Sequence, residues 1–232
     1  MRDLKDAVVI VTGAARGAGR AIALAAAGEG ARVVVADRTD KPFMLPGTIY
    51  TVAEEVEALG TKALAVKVDL REESEIIAMR DAAVAEFGRI DALVNNAGIQ
   101  FMAPVHELPT ERWDQVMSVN ARATFLACKH VLPGMIERRR GNIVNISSVA
   151  GRNPMPGMSC YAAAKAAVDY LTLALADEVR DSGIAVNSLA PTYQVATEGI
   201  QHLYREAPEE LARSEPPEHY AKVVAWLLKQ EP

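Results

Sequence analysis

The feature that most limits what this chain can fold into is a rhythm. Short runs rich in β-branched residues alternate with longer helical stretches from end to end. Ala7-Val8-Val9-Ile10-Val11 carries no polar residue, and Arg32-Val33-Val34-Val35-Ala36 repeats the pattern. Further strands are expected at 63–68, 92–94, 142–146 and 184–188. Strands without polar alternation are covered on both faces, as in parallel sheets. Helices are expected between them, near 52–59, 73–87, 110–139 and 160–181. Right-handed crossovers then make an α/β fold, a doubly wound parallel sheet with helices on both faces, spanning 1–232 as one domain. Two irregular connections break the rhythm, at 38–51 and 191–217. Both follow strands, where long connections in such folds tend to bind or cover a ligand.

Composition narrows the function classes. The 232 residues are 50% hydrophobic, too apolar for a disordered chain. Lys and Arg number 25 against 30 Asp and Glu, a net charge of −5, so the basic excess of a nucleic-acid binder is missing. No apolar run approaches the length of a membrane span, so no membrane partner is expected. The N-terminus leads straight into the first strand and does not read as a signal peptide. Two cysteines, Cys128 and Cys160, have neither disulfide nor metal spacing and fit a reducing, cytoplasmic setting. No metal site is expected.

The first strand runs into Thr12-Gly13-Ala14-Ala15-Arg16-Gly17-Ala18-Gly19, which opens an Ala-rich helix. Glycines let the backbone reverse there and approach a phosphate, and the helix N-terminus offers N–H groups and partial positive charge to a pyrophosphate. The spacing is Gly-x-x-x-Gly-x-Gly rather than the commoner Gly-x-Gly-x-x-Gly. Asp37 closes the second strand, where a carboxylate can accept hydrogen bonds from an adenosine ribose, which favours NAD. Arg16 and Arg38 pull toward NADP, since either guanidinium can clamp a 2′-phosphate.

Further along, Tyr161 and Lys165 stand four residues apart, on one face of a helix. A cation beside a phenol favours the phenolate and is expected to lower its pKa toward working pH. A phenol so tuned can exchange a proton with a carbonyl or alcohol oxygen. Ser148 follows the fifth strand, at the sheet edge where ligands bind, and can hydrogen-bond the same oxygen. None of His106, His130, His202 and His219 has a hydrolase-like context, so a Ser–His–Asp reading is poor.

Together with Asn95-Asn96-Ala97-Gly98 and Asn120 in Ser118-Val119-Asn120, these motifs closely resemble the short-chain dehydrogenase/reductase family, from residue 5 to about 192. The resemblance implies a Rossmann fold and reversible hydride transfer between a nicotinamide cofactor and a secondary alcohol or ketone. Tyr161 would be the acid/base, and Lys165 would lower its pKa and hold the nicotinamide ribose. Ser148 would orient the substrate oxygen, and Asn120 would hold a proton-relaying water. The implied cofactor contacts are Gly13, Arg16, Gly17, Ala18, Gly19, Asp37, Arg38, Asp69 with Leu70, Asn96, Ala97, Gly98, Tyr161, Lys165, Pro191 and Thr192. Asp69 would bond the adenine amino group, while Thr12 and Asn95 would be structural.

The chain departs from the family pattern in places. Pro191-Thr192 stands where Pro-Gly is usual, and Ala196 takes the place of a threonine that arrives one step late as Thr197. Ala18 replaces a larger aliphatic residue. The stretch 41–50, including Phe43, resembles a subgroup that includes hydroxysteroid-dehydrogenase-like proteins, some of which look NADP-dependent and lack the acid found here as Asp37. The usual seventh strand does not follow a last helix at 217–229. The expected cofactor is therefore NAD, with NADP second. The expected partners are a small carbonyl or alcohol substrate and further copies of the chain, as a homodimer or homotetramer through the helices at 110–139 and 160–181. Two alternatives share these motifs: an NADPH-dependent 3-oxoacyl thioester reductase, and a cofactor-binding protein without turnover. The 191–217 loop carries Tyr193, His202, Leu203 and Tyr204, and Met155 and Met158 precede the Tyr161 helix. None of these selects a substrate.

Overall fold

Six strands form one fully parallel sheet: β1 (Val8–Thr12), β2 (Arg32–Asp37), β3 (Ala63–Lys67), β4 (Ala92–Asn95), β5 (Gly141–Ile146) and β6 (Ile184–Leu189). Their spatial order is β3-β2-β1-β4-β5-β6. The structure is a computed structural model that describes residues 3–232 except 43, 154, 204, 206 and 207. Phe43 and Tyr204 therefore lie outside the described residues. Every expected strand is present, each within a residue or so of its expected bounds.

Alternate residues of β1 face opposite layers. Val9 and Val11 join Val33 and Val35 under α1 (Gly17–Gly28), α2 (Ile49–Ala58) and α9 (Pro217–Leu228). Val8 and Ile10 join Val34 and Leu93 under α3 (Glu73–Phe87), α5 (Ala123–Glu137) and α6 (Ser159–Glu178). Buried on both faces, these strands need no polar residues. Asn142, inside β5, is an exception with a purpose. Its amide donates to the carbonyls of Leu227 (3.0 Å) and Gln230 (3.1 Å), fastening the end of α9 to the sheet.

Two helices differ from expectation. α2 begins at Ile49, three residues early, because Thr48 and Thr51 form a reciprocal cap: the Thr51 N–H donates to Thr48 Oγ1 at 3.1 Å, and the Thr48 N–H to Thr51 Oγ1 at 2.9 Å. The 110–139 helix is three pieces: α4 (Thr110–Met117), a π-helical turn (Ser118–Arg122), and α5. The wide turn is centred on Asn120, whose backbone carbonyl takes the Thr124 hydroxyl at 2.8 Å. The 191–217 region holds two short helices, α7 (Glu198–Leu203) and α8 (Pro208–Leu211), and is tied down by a bridge between Val195 and Glu215.

Strand order reverses between β1 and β4, so the loops leaving these neighbours part and open a crevice at the carboxyl edge of the sheet. The glycine turn leaves β1 into one side of it, and Asn96–Ala97–Gly98 leaves β4 into the other.

Candidate active site

The glycine turn is held by its neighbours as tightly as by its own geometry. Gly13 (φ +66°) and Gly17 (φ +57°) occupy left-handed backbone that a side chain strains. A Cβ on Gly19 would fall 2.1 Å from the Gly13 carbonyl oxygen and 2.6 Å from Asn96 Nδ2. Helix α1 therefore starts in contact with the turn, and only glycine permits it. Asn96 donates from Nδ2 to the carbonyls of Thr12 (2.9 Å) and Gly13 (3.2 Å). Thr12 Oγ1 accepts the N–H groups of Asn96 and Ala97. Thr12 is thus structural as expected, and the Asn96 amide is spent on shaping the turn. Asn95 is structural too, donating to Asn145 Oδ1 at 2.8 Å in a buried ladder that continues to Thr172.

A cavity of about 740 Å³ runs along this edge, within the usual range for a ligand or cofactor. Gly13, Arg16, Gly17, Ala18 and Gly19 line one wall, and Asn96, Ala97 and Gly98 face them. Asp37, Arg38, Asp69 and Leu70 close the far end. Asp37 is oriented by two backbone donors, Thr39 N–H at 2.9 Å and Ala15 N–H at 3.3 Å. The Arg16 guanidinium reaches the Gly47 carbonyl at 3.5 Å. The 38–48 connection thus packs on the glycine turn and adds Leu45 to the wall. Asp69 is gripped by the Arg71 guanidinium, which, beside it, holds its carboxyl below the usual range against burial.

Pro191, Thr192, Asn120, Ser148, Tyr161 and Lys165 do not line this cavity. Thr197, Glu198 and Gly199 at the start of α7 do, with Thr197 Cβ 3.1 Å from where a Gly17 Cβ would sit. Glu198 brings Oε2 to 3.5 Å of the same point, buried and without a hydrogen-bond partner among the described residues. The sequence marks Thr197 only as a displaced threonine and gives no sign of Glu198, Arg71 or Arg112, the last also on the wall. The one available signal was the shift of the threonine by a residue.

The four expected catalytic residues gather beyond Gly98. A Cβ there would lie 3.2 Å from Asn120 Oδ1 and 3.5 Å from Lys165 Nζ, so the missing side chain keeps this corner open. Asn120, 1% exposed, uses both amide atoms on one residue: Oδ1 accepts the Ile99 N–H and Nδ2 donates to the Ile99 carbonyl, each at 2.8 Å. The π turn thereby clamps the β4 loop. Lys165, 3% exposed, donates from Nζ to the Ile146 carbonyl at 2.7 Å. Burial pulls its pKa down to about 8, and Asp169 one turn later opposes that.

Tyr161 departs from expectation in one respect. Burial pushes the phenol above its ordinary value, and the Ser148 hydroxyl, which reaches it, pulls the other way. Lys165 Nζ stands 5.7 Å from the ring centroid and is aimed at Ile146, so desolvation outweighs the expected effect of the cation. The arrangement holds a protonated phenol and a serine hydroxyl side by side. Beside them, a buried ammonium stands next to Gly98, which lines the crevice.

A glycine-lined crevice at a reversal of strand order is where doubly wound α/β proteins bind ligands, and the family match is consistent with it. The profile described as short chain dehydrogenase matches residues 7–207. The chain belongs to that family. It is 41% identical over 203 residues to Hydroxysteroid dehydrogenase-like protein 2 of Homo sapiens, covering 86% of this chain and 48% of that protein. The Rattus norvegicus protein of the same name is 42% identical over 204 residues, covering 86% and 38%. The chain thus spans half or less of the length of these relatives. A crystal structure of a short-chain type dehydrogenase/reductase from Mycobacterium marinum superposes with a TM-score of 0.89 at 30% identity, covering 98% of this chain and 90% of that one.

Proposed function

We propose that the chain is an oxidoreductase that moves a hydride between NAD(H) and a secondary alcohol or ketone, with Tyr161 as the acid/base. The observation that carries this reading is the convergence of Ser148, Tyr161 and Lys165 beside Gly98, a residue of the crevice wall. The residues present fit a dinucleotide: the Gly13–Gly19 cradle has no room for side chains at Gly19 and abuts the cavity. Gly17 and Ala18, at the start of α1, would hold the diphosphate on free N–H groups. Asp37, Leu70 and Ala97 would hold the adenosine half, and Lys165 the nicotinamide ribose. The bound dinucleotide supplies the hydride donor or acceptor.

Ser148 donates to the substrate oxygen and fixes it beside the phenol. In reduction, Tyr161 hands its proton to that oxygen as the carbonyl carbon gains the hydride; in oxidation, the phenolate takes the alcohol proton back. The raised pKa keeps the phenol protonated at neutral pH, suited to the reducing direction. Lys165 stabilises the phenolate that proton transfer leaves behind. Asn120 fixes the loop that carries Ile99 against this corner, and a water relay through it accords with its place beside Lys165.

Asp37 supports NAD over NADP, since a 2′-phosphate would meet a carboxylate held in place by Ala15 and Thr39 while Arg16 is directed at Gly47. We read the protein as a cytoplasmic homo-oligomer. Among the described residues no helix is long and apolar enough to cross a membrane. Phe125 on α5, with Tyr170 and Leu173 on α6, leaves apolar side chains exposed on the helices expected to pair copies. The deciding experiment is a fluorescence titration with NADH and with NADPH. Tight NADH binding with weak NADPH binding is expected; the reverse would refute the Asp37 reading, and no binding of either would refute the function.

A further inference from the structure

Two hydroxyls, on Ser148 and Tyr161, have to stand at a set separation to share one substrate oxygen, yet they belong to different segments. Tyr161 lies on α6, whereas Ser148 caps a single 3₁₀ turn, Val149–Gly151, that follows β5. Ser148 Oγ accepts the Ala150 N–H at 3.2 Å, so the hydroxyl is fixed to the turn. Whatever seats that turn on the helix therefore sets where the hydroxyl stands.

The segment from Ile146 to Arg152 touches α6 repeatedly. Lys165 Nζ donates to the Ile146 carbonyl at 2.7 Å, and Ser147 Oγ donates to the Lys165 carbonyl at 3.4 Å. Gly151 meets the helix backbone itself. A Cβ there would fall 2.9 Å from both the Lys165 carbonyl carbon and the Ala166 nitrogen, and 3.2 Å from Lys165 Cβ. Helix backbone cannot swing aside as a flexible side chain can, so only glycine lets the turn come this close. Arg152, directly after the turn, closes the run: its Nε donates to Asp169 Oδ2 at 2.9 Å. Asp169 stands one helical turn beyond Lys165 and its side chain is 13% exposed, so the acceptor half of this pair is sheltered from solvent. Neither Gly151 nor the Arg152–Asp169 pair lines the crevice. What they hold is the turn.

We propose that Gly151 and the Arg152–Asp169 pair are positioning residues: they seat the serine turn on α6 and so fix the Ser148 hydroxyl beside the Tyr161 phenol. This rests on the roles given to Ser148 and Tyr161 above. A methyl at position 151 pries the turn off the helix, and loss of the ion pair frees its far end. An element that only supports the fold lowers activity in any background. A positioning element matters only while there is a hydroxyl to place, so the effect of removing it should vanish once Ser148 is replaced by alanine.

The test compares wild type, Gly151→Ala and Arg152→Gln, each with and without Ser148→Ala, by crystallography and by NADH-driven reduction of cyclohexanone. In the crystals of Gly151→Ala and Arg152→Gln, Ser148 Oγ should lie about half an ångström or more farther from Tyr161 Oη, with the glycine turn unmoved. In the assay kcat should fall at least about tenfold for Gly151→Ala and about threefold for Arg152→Gln, with KM and NADH affinity changed less than about twofold. In the Ser148→Ala background either change should alter kcat by less than about twofold. An unmoved Ser148, or equal losses of kcat in both backgrounds, would overturn the proposal. Should Gly151→Ala fail to fold, Arg152→Gln decides by the same criteria. Should wild type leave this ketone unreduced, the crystal comparison decides alone. A wild-type protein that binds no dinucleotide would refute the function, while the crystals would still decide the seating.

Discussion

Replacing Lys165 with methionine should make the protein more stable and inactive at once. A lysine in water titrates near 10.5, and burial holds Lys165 near 8. Each pH unit of that difference is worth about 1.4 kcal/mol, so keeping this ammonium charged at pH 7 costs the folded state about 3 kcal/mol. Methionine fills a similar volume without the charge. It does leave the Ile146 carbonyl without its 2.7 Å donor, a loss of about 1 kcal/mol. The net gain is about 2 kcal/mol, or about 4–8 °C in Tm for a chain of this size. The sign has a pH signature. Below pH 8 both folded and unfolded wild type hold the proton and the full penalty stands. Between about 8 and 10.5 only the unfolded chain holds it, so wild-type stability rises with pH relative to the variant. Urea unfolding at pH 7, 8.5 and 10 measures this directly. A variant less stable than wild type at pH 7, or a gap that does not narrow toward pH 10, would refute the account of Lys165 as a charge kept at the expense of stability.

Other consequences are as direct. Tyr161→Phe removes the proton donor and little binding surface, so turnover should drop at least a hundredfold with NADH affinity nearly unchanged; residual activity above a few percent would rule out the acid/base role. Gly19→Ala sets a methyl against the Gly13 carbonyl and Asn96. It should destabilise the fold by about 1–3 kcal/mol and weaken dinucleotide binding at least tenfold, read by thermal unfolding and titration; a variant that binds NADH normally would show that the turn is not the phosphate cradle. Glu198→Gln puts a neutral amide in place of a carboxylate whose Oε2, beside Gly17, has no hydrogen-bond partner among the described residues. A diphosphate there should bind about fivefold more tightly, and calorimetry showing weaker or equal NADH binding would contradict that placement.

Local patterns carry far in this chain because its elements are local. Short Val/Ile-rich runs without polar alternation suit a sheet covered on both faces, so the six strands are legible as sequence. The four-residue spacing of Tyr161 and Lys165 puts both on one helix face in any tertiary setting, and a glycine turn between strand and helix has few other uses. The reciprocal Thr48/Thr51 cap was also local, yet Thr is so common in loops that the start of α2 was not visible. The π turn was not visible either, since its cause lies 21 residues away, in the bonds between Asn120 and Ile99.

What only the tertiary structure decided concerns direction and environment. Whether Tyr161 is drawn down by a cation or pushed up by burial depends on how much water the fold excludes and where Lys165 aims its ammonium; the fold aims it at Ile146. Asn96 spends its amide on the glycine turn, Asp69 meets Arg71, and Thr197 with Glu198 joins the cavity wall. The sequence by itself determined the sheet, the turn and the chemistry-bearing residue types, because covalent spacing and burial of apolar runs are short-range constraints. The protonation balance of the site and the charges that set it come from segments far apart in the chain, and desolvation acts only after those segments have met.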